Sequence, residues 1–208
     1  MDTDEVWRHV AAERSSLADL LEELTDAEWE TPSLCRGWTV RNVAVHVISS
    51  PQARLLPVLA GMARARGDFN RFVFTQTLRA SSAVSPEEIV AQYRQFAGSR
   101  RHPPGTTPLD PLLDVLIHAQ DIAVPLGRRR EMPPGPARAA ADRIWQRSMP
   151  FRARKRLAGL RLVATDIDWA VGEGAEVRGP IEALLLLLSG RSLRVPQLAG
   201  PGAAQLPR

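Results

Sequence analysis

Apolar residues recur at helical spacing from the start of the chain. Between Asp4 and Leu24, the residues Val6, Val10, Leu17, Leu20, Leu21 and Leu24 form a stripe with acids and arginines between them, which predicts an amphipathic first helix. Thr31-Pro32-Ser33 breaks the pattern, and Thr39 then offers an N-cap to a second helix whose face carries Val40, Val43, His46, Val47 and Ser50. Pro51 cannot donate to the carbonyl of Val47, so a kink is expected there, with Leu55, Leu56, Leu59 and Met62 continuing the helix to Gly67. Residues 68–83 are ambiguous and receive no assignment. Ser85-Pro86-Glu87-Glu88 reads as N-cap, first-turn proline and first-turn acids of a third helix running to about Ser99, closed by Pro103-Pro104-Gly105. A fourth helix is expected from about Pro111 to Leu126, with Leu112, Leu113, Leu116 and Ile117 on it, Gly127 as its stop and Arg128, Arg129 and Arg130 beyond. Four helices with mostly short connections predict an antiparallel bundle.

The pattern changes after Met132–Pro136, a proline-rich linker. One more helix is expected over Pro136–Ser148. The alternation from Leu160 to Asp166, the turn Gly172-Glu173-Gly174 and the run Ala175–Arg178 read as strands of a small sheet, and Gly179-Pro180 opens a final apolar helix ending at Gly190. The sequence thus reads as mainly α with a small α/β appendage: a bundle over residues 1–131 and an appendage over 137–195. Residues 196–208, PQLAGPGAAQLPR, lack periodic apolar positions and are expected to be disordered.

Composition narrows the function classes. Of 208 residues, 44% are hydrophobic and 24% charged, the balance of a globular chain. The formal net charge of +4 admits a nucleic-acid partner, but the arginines are scattered and aromatics make up only 5%, so neither a concentrated basic face nor a stacking platform is indicated. An anionic small substrate suits the charge as well. Cys35 is the only cysteine, which excludes an internal disulfide. The acidic opening MDTDEVWRHV lacks the basic flank and apolar run of a signal peptide, and Leu184–Leu188 falls far short of the ~20 residues that span a bilayer. A cytoplasmic location, without membrane or nucleic-acid partners, is expected.

Two of the four histidines, His46 and His118, sit inside apolar helical segments, where a lone imidazole is costly without a partner. Asp114 and His118 are four residues apart and share one helix face, with Asp121 about one turn farther on. His46, on the core-facing stripe of the second helix, could supply a third donor from another element. Two imidazoles and one carboxylate leave coordination positions open and suit Zn²⁺, Fe²⁺ or Ni²⁺. On these residues alone the favoured reading is hydrogen-bonded core histidines with helix-capping or solvated acids, because Asp-x-x-x-His is a common spacing.

A resemblance favours the metal reading. WETPSLCRGWTVRNVAVHV, residues 29–47, resembles the segment of the mycothiol-dependent maleylpyruvate isomerase family that leads into the helix bearing its first metal histidine. LLDVLIHAQDIAVPLG, residues 112–127, resembles that family's fourth helix, where a carboxylate and a histidine four residues later complete the site. TDIDWAVGEGAEVRGPIEALLLLLSGR, residues 165–191, resembles its small sterol-carrier-like appendage. The resemblance implies a DinB-like four-helix bundle with His46, Asp114 and His118 as metal ligands. Family members often carry Glu at the position of Asp114 and Asp at that of Asn42, so here the ligand reaches less far and a helix cap differs.

The resemblance further implies mycothiol as a cosubstrate whose sulfur sits on or near the metal and attacks an electrophile such as maleylpyruvate, giving an isomerase or an S-transferase. Arg191, in the closing Ser-Gly-Arg, is the candidate to stabilise charge developing on a carbonyl oxygen, against a plain reading as a cation at a helix C-terminus. Asp121 is expected to orient His118 or to be a solvated acid. Cys35 is expected in a buried structural role, Trp29 and Trp38 in packing, and His9 and His102 at the surface. The competing function is a bundle that keeps the fold as a non-catalytic binding or regulatory module. Monomer and homodimer both stay open.

Overall fold

The computed structural model describes residues 1–147 and 149–206. They divide into two compact units, Asp2–Arg130 and the residues from Glu131 onward. Seven helices build the first: α1 (Thr3–Glu22), α2 (Asp26–Trp29), α3 (Val40–Ser49), α4 (Leu55–Arg64), α5 (Phe69–Ser81), α6 (Pro86–Phe96) and α7 (Leu109–Ala123). Four of them form the bundle, with α1 and α3 each packed against both α6 and α7. Val10, Leu17 and Leu21 of α1, Val43, Ala44 and Val47 of α3, Ile89 and Tyr93 of α6, and Val115, Ala119 and Ile122 of α7 are buried. The apolar stripes read from the sequence are these buried faces. Polar ties fix their register: the Tyr93 hydroxyl donates to the Ala44 carbonyl at 2.9 Å, and Arg130 pairs with Glu13 at 2.6 Å. Arg128 bonds Glu23 at 2.8 Å.

The segment after His46 departs from expectation. Pro51 does not kink one long helix; it ends it. The carbonyl of Val47 is taken by the Ser50 N–H, residues Ser50–Gln52 tighten into a 3₁₀ turn, and Arg54 is extended before α4 begins. The unassigned stretch 68–83 contains α5, started by the Asp68 carboxylate accepting from the Arg71 N–H at 3.0 Å. The short α2 is started by a capping box between Thr25 and Glu28. The third and fourth helices end earlier than expected, at Phe96 and Ala123.

The second unit holds α8 (Pro134–Gln146), α9 (Ala153–Arg156), β1 (Leu160–Ala164), β2 (Ala170–Gly172), β3 (Ala175–Gly179) and α10 (Ile181–Leu188). Ser148, where the helix of α8 was expected to end, lies outside the described residues. The sheet order is β2-β1-β3, with β1 antiparallel to β2 and parallel to β3. Parallel pairing across so short a link requires the chain to cross the end of β1, and Gly174 makes the crossing: its φ is +119°, and a Cβ there would lie 2.1 Å from the Gly159 carbonyl oxygen. Asp166, read as strand, lies beyond β1 and accepts from the Ile181 N–H at 2.9 Å, capping α10. That helix is almost wholly buried and packs against α8.

The tail read as disordered is ordered as far as Leu206. Arg178 and Ala199 exchange two backbone hydrogen bonds of 2.8 Å, the Gly202 N–H donates to the Glu176 carbonyl, and Leu198 and Leu206 are buried. Backbone pairing along β3 supplies what apolar periodicity does not. Pro207 and Arg208 lie outside the described residues. Among the described residues no helix is long and apolar enough to cross a membrane.

Candidate metal centre

Two helices and one loop build the site. Helix α7 carries Asp114, His118 and Asp121, and α3 carries His46. The loop before α3 is pinned by a bridge between Pro32 and Thr39 and by the Leu34 N–H donating to the Asp121 carbonyl at 3.2 Å. Asn42 starts α3: its side-chain oxygen accepts from the Thr39 N–H at 3.0 Å, and its amide nitrogen donates to the Ser81 hydroxyl at 2.6 Å. An aspartate there could accept the first bond but could not donate the second, so the asparagine ties α3 to α5.

His46 Nε2 lies 3.3 Å, and His118 Nε2 3.4 Å, from the same Asp114 oxygen, Oδ1. The three side chains each offer one ligand atom, all within 4.8 Å of one another. Bonds of about 2.0–2.1 Å in tetrahedral arrangement place neighbouring donors about 3.3 Å apart, a spacing with which these contacts are compatible. The residues fit such an ion, and nitrogen and oxygen donors alone do not select zinc. Asp114 is 29% exposed, His46 20% and His118 13% at the side chain, an opening on one side of the cluster.

Behind the ligands the polar chain continues. His118 Nδ1 lies 2.7 Å from Oδ2 of Asp121, whose side chain is fully buried. An ionised carboxylate only accepts, so Nδ1 carries a hydrogen, and Nε2 is the ring atom that faces Asp114 and His46. Asp121 therefore orients His118 and is not a solvated acid. Cys35 is a correction. It is half-buried, not buried, and its thiol lies 3.1 Å from Asp121 Oδ2 and 3.6 Å from His118 Nδ1. Nothing in its sequence position gives this contact, which arises because the pinned loop lays Cys35 over α7.

Electrostatics follow from this packing. Burial alone raises the Asp114 carboxyl, but the imidazoles of His46 and His118 outweigh it and hold Asp114 far below the ordinary carboxylate range. Burial alone lowers His118, yet the Asp114 charge, with hydrogen bonds to Asp114 and Asp121 and a contact with Cys35, holds it well above its ordinary value.

The remaining sequence candidates are not among the three donors. Arg191 belongs to the second unit, where its guanidinium donates to the Ser189 carbonyl at 2.9 Å and its backbone N–H to that of Leu186, closing the C-terminus of α10. His102 is partly buried, stacks on Trp7 with ring centroids 6.1 Å apart, and bonds Thr106. Trp29 and Trp38 are both buried.

Solved structures share this fold at low sequence identity. The crystal structure of the mycothiol-dependent maleylpyruvate isomerase matches at a TM-score of 0.63 and 17% identity, covering 92% of this chain and 90% of that one. A histidine-to-alanine mutant bearing the same name matches at 0.67 and 15%, covering 100% and 95%. No curated protein matches the chain significantly. The model of the mycothiol maleylpyruvate isomerase N-terminal domain matches residues 10–123, which include all of α3 and α7 and therefore the whole donor cluster, and the chain belongs to that family.

Proposed function

We propose that this protein is a metal- and mycothiol-dependent isomerase or S-transferase acting on an electrophilic small molecule such as maleylpyruvate. The observation that carries the reading is the convergence of His46 Nε2 and His118 Nε2 on one oxygen of Asp114 at coordination spacing. A bound divalent cation, with Zn²⁺ favoured over Fe²⁺ or Ni²⁺, lowers the pKa of a thiol held against it and so supplies thiolate near neutral pH. His46, Asp114 and His118 would hold such an ion, and their cluster is exposed on one side. Asp121 fixes the tautomer of His118, and the bundle core behind α3 and α7 keeps water from that side.

Isomerisation then needs reversible addition of the thiol sulfur to the cis double bond, rotation about the new single bond and loss of the thiol. Negative charge gathers meanwhile on the conjugated carbonyl oxygen. The chain is read as a cytoplasmic protein with small-molecule partners.

Metal analysis followed by mycothiol titration of the same sample tests the reading. About one divalent metal per chain, lost in His46→Ala and His118→Ala, with stoichiometric thiol binding, is expected. Wild-type protein that cannot be loaded with metal overturns it. Metal without thiol binding leaves the bundle as a binding or regulatory module.

A further inference from the structure

Trp38 stands beside His46. Its ring is only 8% exposed, its centroid lies 5.1 Å from that of the His46 imidazole, and Phe74 of α5 stacks on it at 6.2 Å and 16°. Gly37 permits this approach: its φ is +80°, and a Cβ there would come within 3.3 Å of the Phe74 ring. The backbone of Trp38 is fully engaged, with its N–H on the Cys35 carbonyl at 3.0 Å and its carbonyl accepting from Ser33. Its one polar side-chain atom is not. The indole Nε1 is buried and meets no acceptor. An indole nitrogen is a donor only, so no change of tautomer satisfies it. Buried donors left without partners are rare in folded proteins.

We infer that Trp38 is a substrate-binding residue whose indole N–H donates to a carboxylate or carbonyl oxygen of a flat, conjugated acid. The inference rests on the proposed function in taking such an acid as substrate. A single hydrogen bond of this kind changes affinity by about tenfold.

Two measurements test it. Zinc-loaded protein labelled with ¹⁵N at its indole nitrogens gives one N–H resonance per tryptophan, and Trp38→Phe identifies that of Trp38. Maleate, a dicarboxylate with a cis double bond, shifts this resonance downfield, whereas mycothiol alone leaves it in place. In kinetics, Trp38→Phe raises the KM for maleylpyruvate about tenfold and leaves the KM for mycothiol and the metal content unchanged. A Trp38 resonance indifferent to maleate overturns the inference, as does one that answers to mycothiol alone, or an unchanged KM in folded, metal-replete variant. Should the variant misfold, the resonance is assigned through its proximity to Phe74 and the maleate titration decides. That titration needs no turnover, so failure of the proposed reaction is read separately from failure of this one.

Discussion

The Nδ1 atom of His118 lies 2.7 Å from Oδ2 of Asp121, a carboxylate fully enclosed one turn along the same helix. Such carboxylate–histidine pairs set the ring's tautomer and raise its basicity toward a metal, and their loss typically costs 10–100-fold in affinity. Asp121→Asn is expected to weaken metal binding by about that factor while α7 stays folded, measured by competition with a chelator of known affinity. Cys35→Ala, which removes a donor to Asp121 but no ligand, should change it by less than about threefold. Equal losses in both variants would contradict the assigned roles.

Metal affinity should rise with pH. His118 is held well above its ordinary value of 6.5, so in the metal-free protein at pH 7 it retains a proton that coordination must displace. The affinity is expected to increase by up to about tenfold per pH unit until His118 has titrated, with proton release visible as a buffer-dependent heat in calorimetry. A heat independent of the buffer's ionisation enthalpy would remove the basis of this expectation.

The same cluster makes the stability of the metal-free protein depend on pH. Asp114 is depressed from 3.8, so its contribution is full above that value and fades as pH falls through the folded one. His118 is raised from 6.5, so its contribution is full below that value and fades as pH rises through the folded one. The pair stabilises most between pH 3.8 and 6.5. Thermal melts of metal-free protein should show wild type exceeding Asp114→Asn by the widest margin in that window, and a constant margin from pH 4 to 9 would speak against the coupling.

Arg14 carries a different kind of burden. It is 1% exposed, and its Nη1 donates to the carbonyls of Phe96 at 3.2 Å and Ser99 at 2.9 Å, satisfying the end of α6 from α1. Arg14→Leu removes the guanidinium donor from both carbonyls, of which that of Phe96 keeps only the Ser99 N–H, and should lower stability by about 2–4 kcal/mol in denaturant titrations, without lowering metal affinity. Retention of wild-type stability would show that water replaces the guanidinium at no cost.

Asp114 and His118 are legible in the sequence because a four-residue spacing fixes them on one helix face whatever surrounds that helix. His46 is less so: its place on an apolar stripe is readable, but its meeting with α7 depends on how α3 and α7 pack, and the family resemblance supplied that. The bundle helices follow from their periodicity. Helix α5 does not, because Phe69, Phe74 and Leu78 remain exposed in the fold and leave no clean buried stripe. The ordered tail escapes for another reason, since the bonds between Arg178 and Ala199 run through backbone groups that any residue could supply. Cys35 meets Asp121 through a loop whose path is set by long-range bonds.

Helix α7 buries nearly every position that is not a ligand, including Leu112, Val115, Leu116, Ala119 and Ile122. Each residue turns a helix by about 100°, so a single insertion or deletion between Asp114 and His118 would swing one of them off the shared face and in the same stroke rotate half of the core stripe toward solvent. Length variation in this segment therefore cannot be absorbed piecemeal. A lineage can exchange side chains along α7 one at a time, but it can alter the residue count there only by abandoning the site and the bundle together.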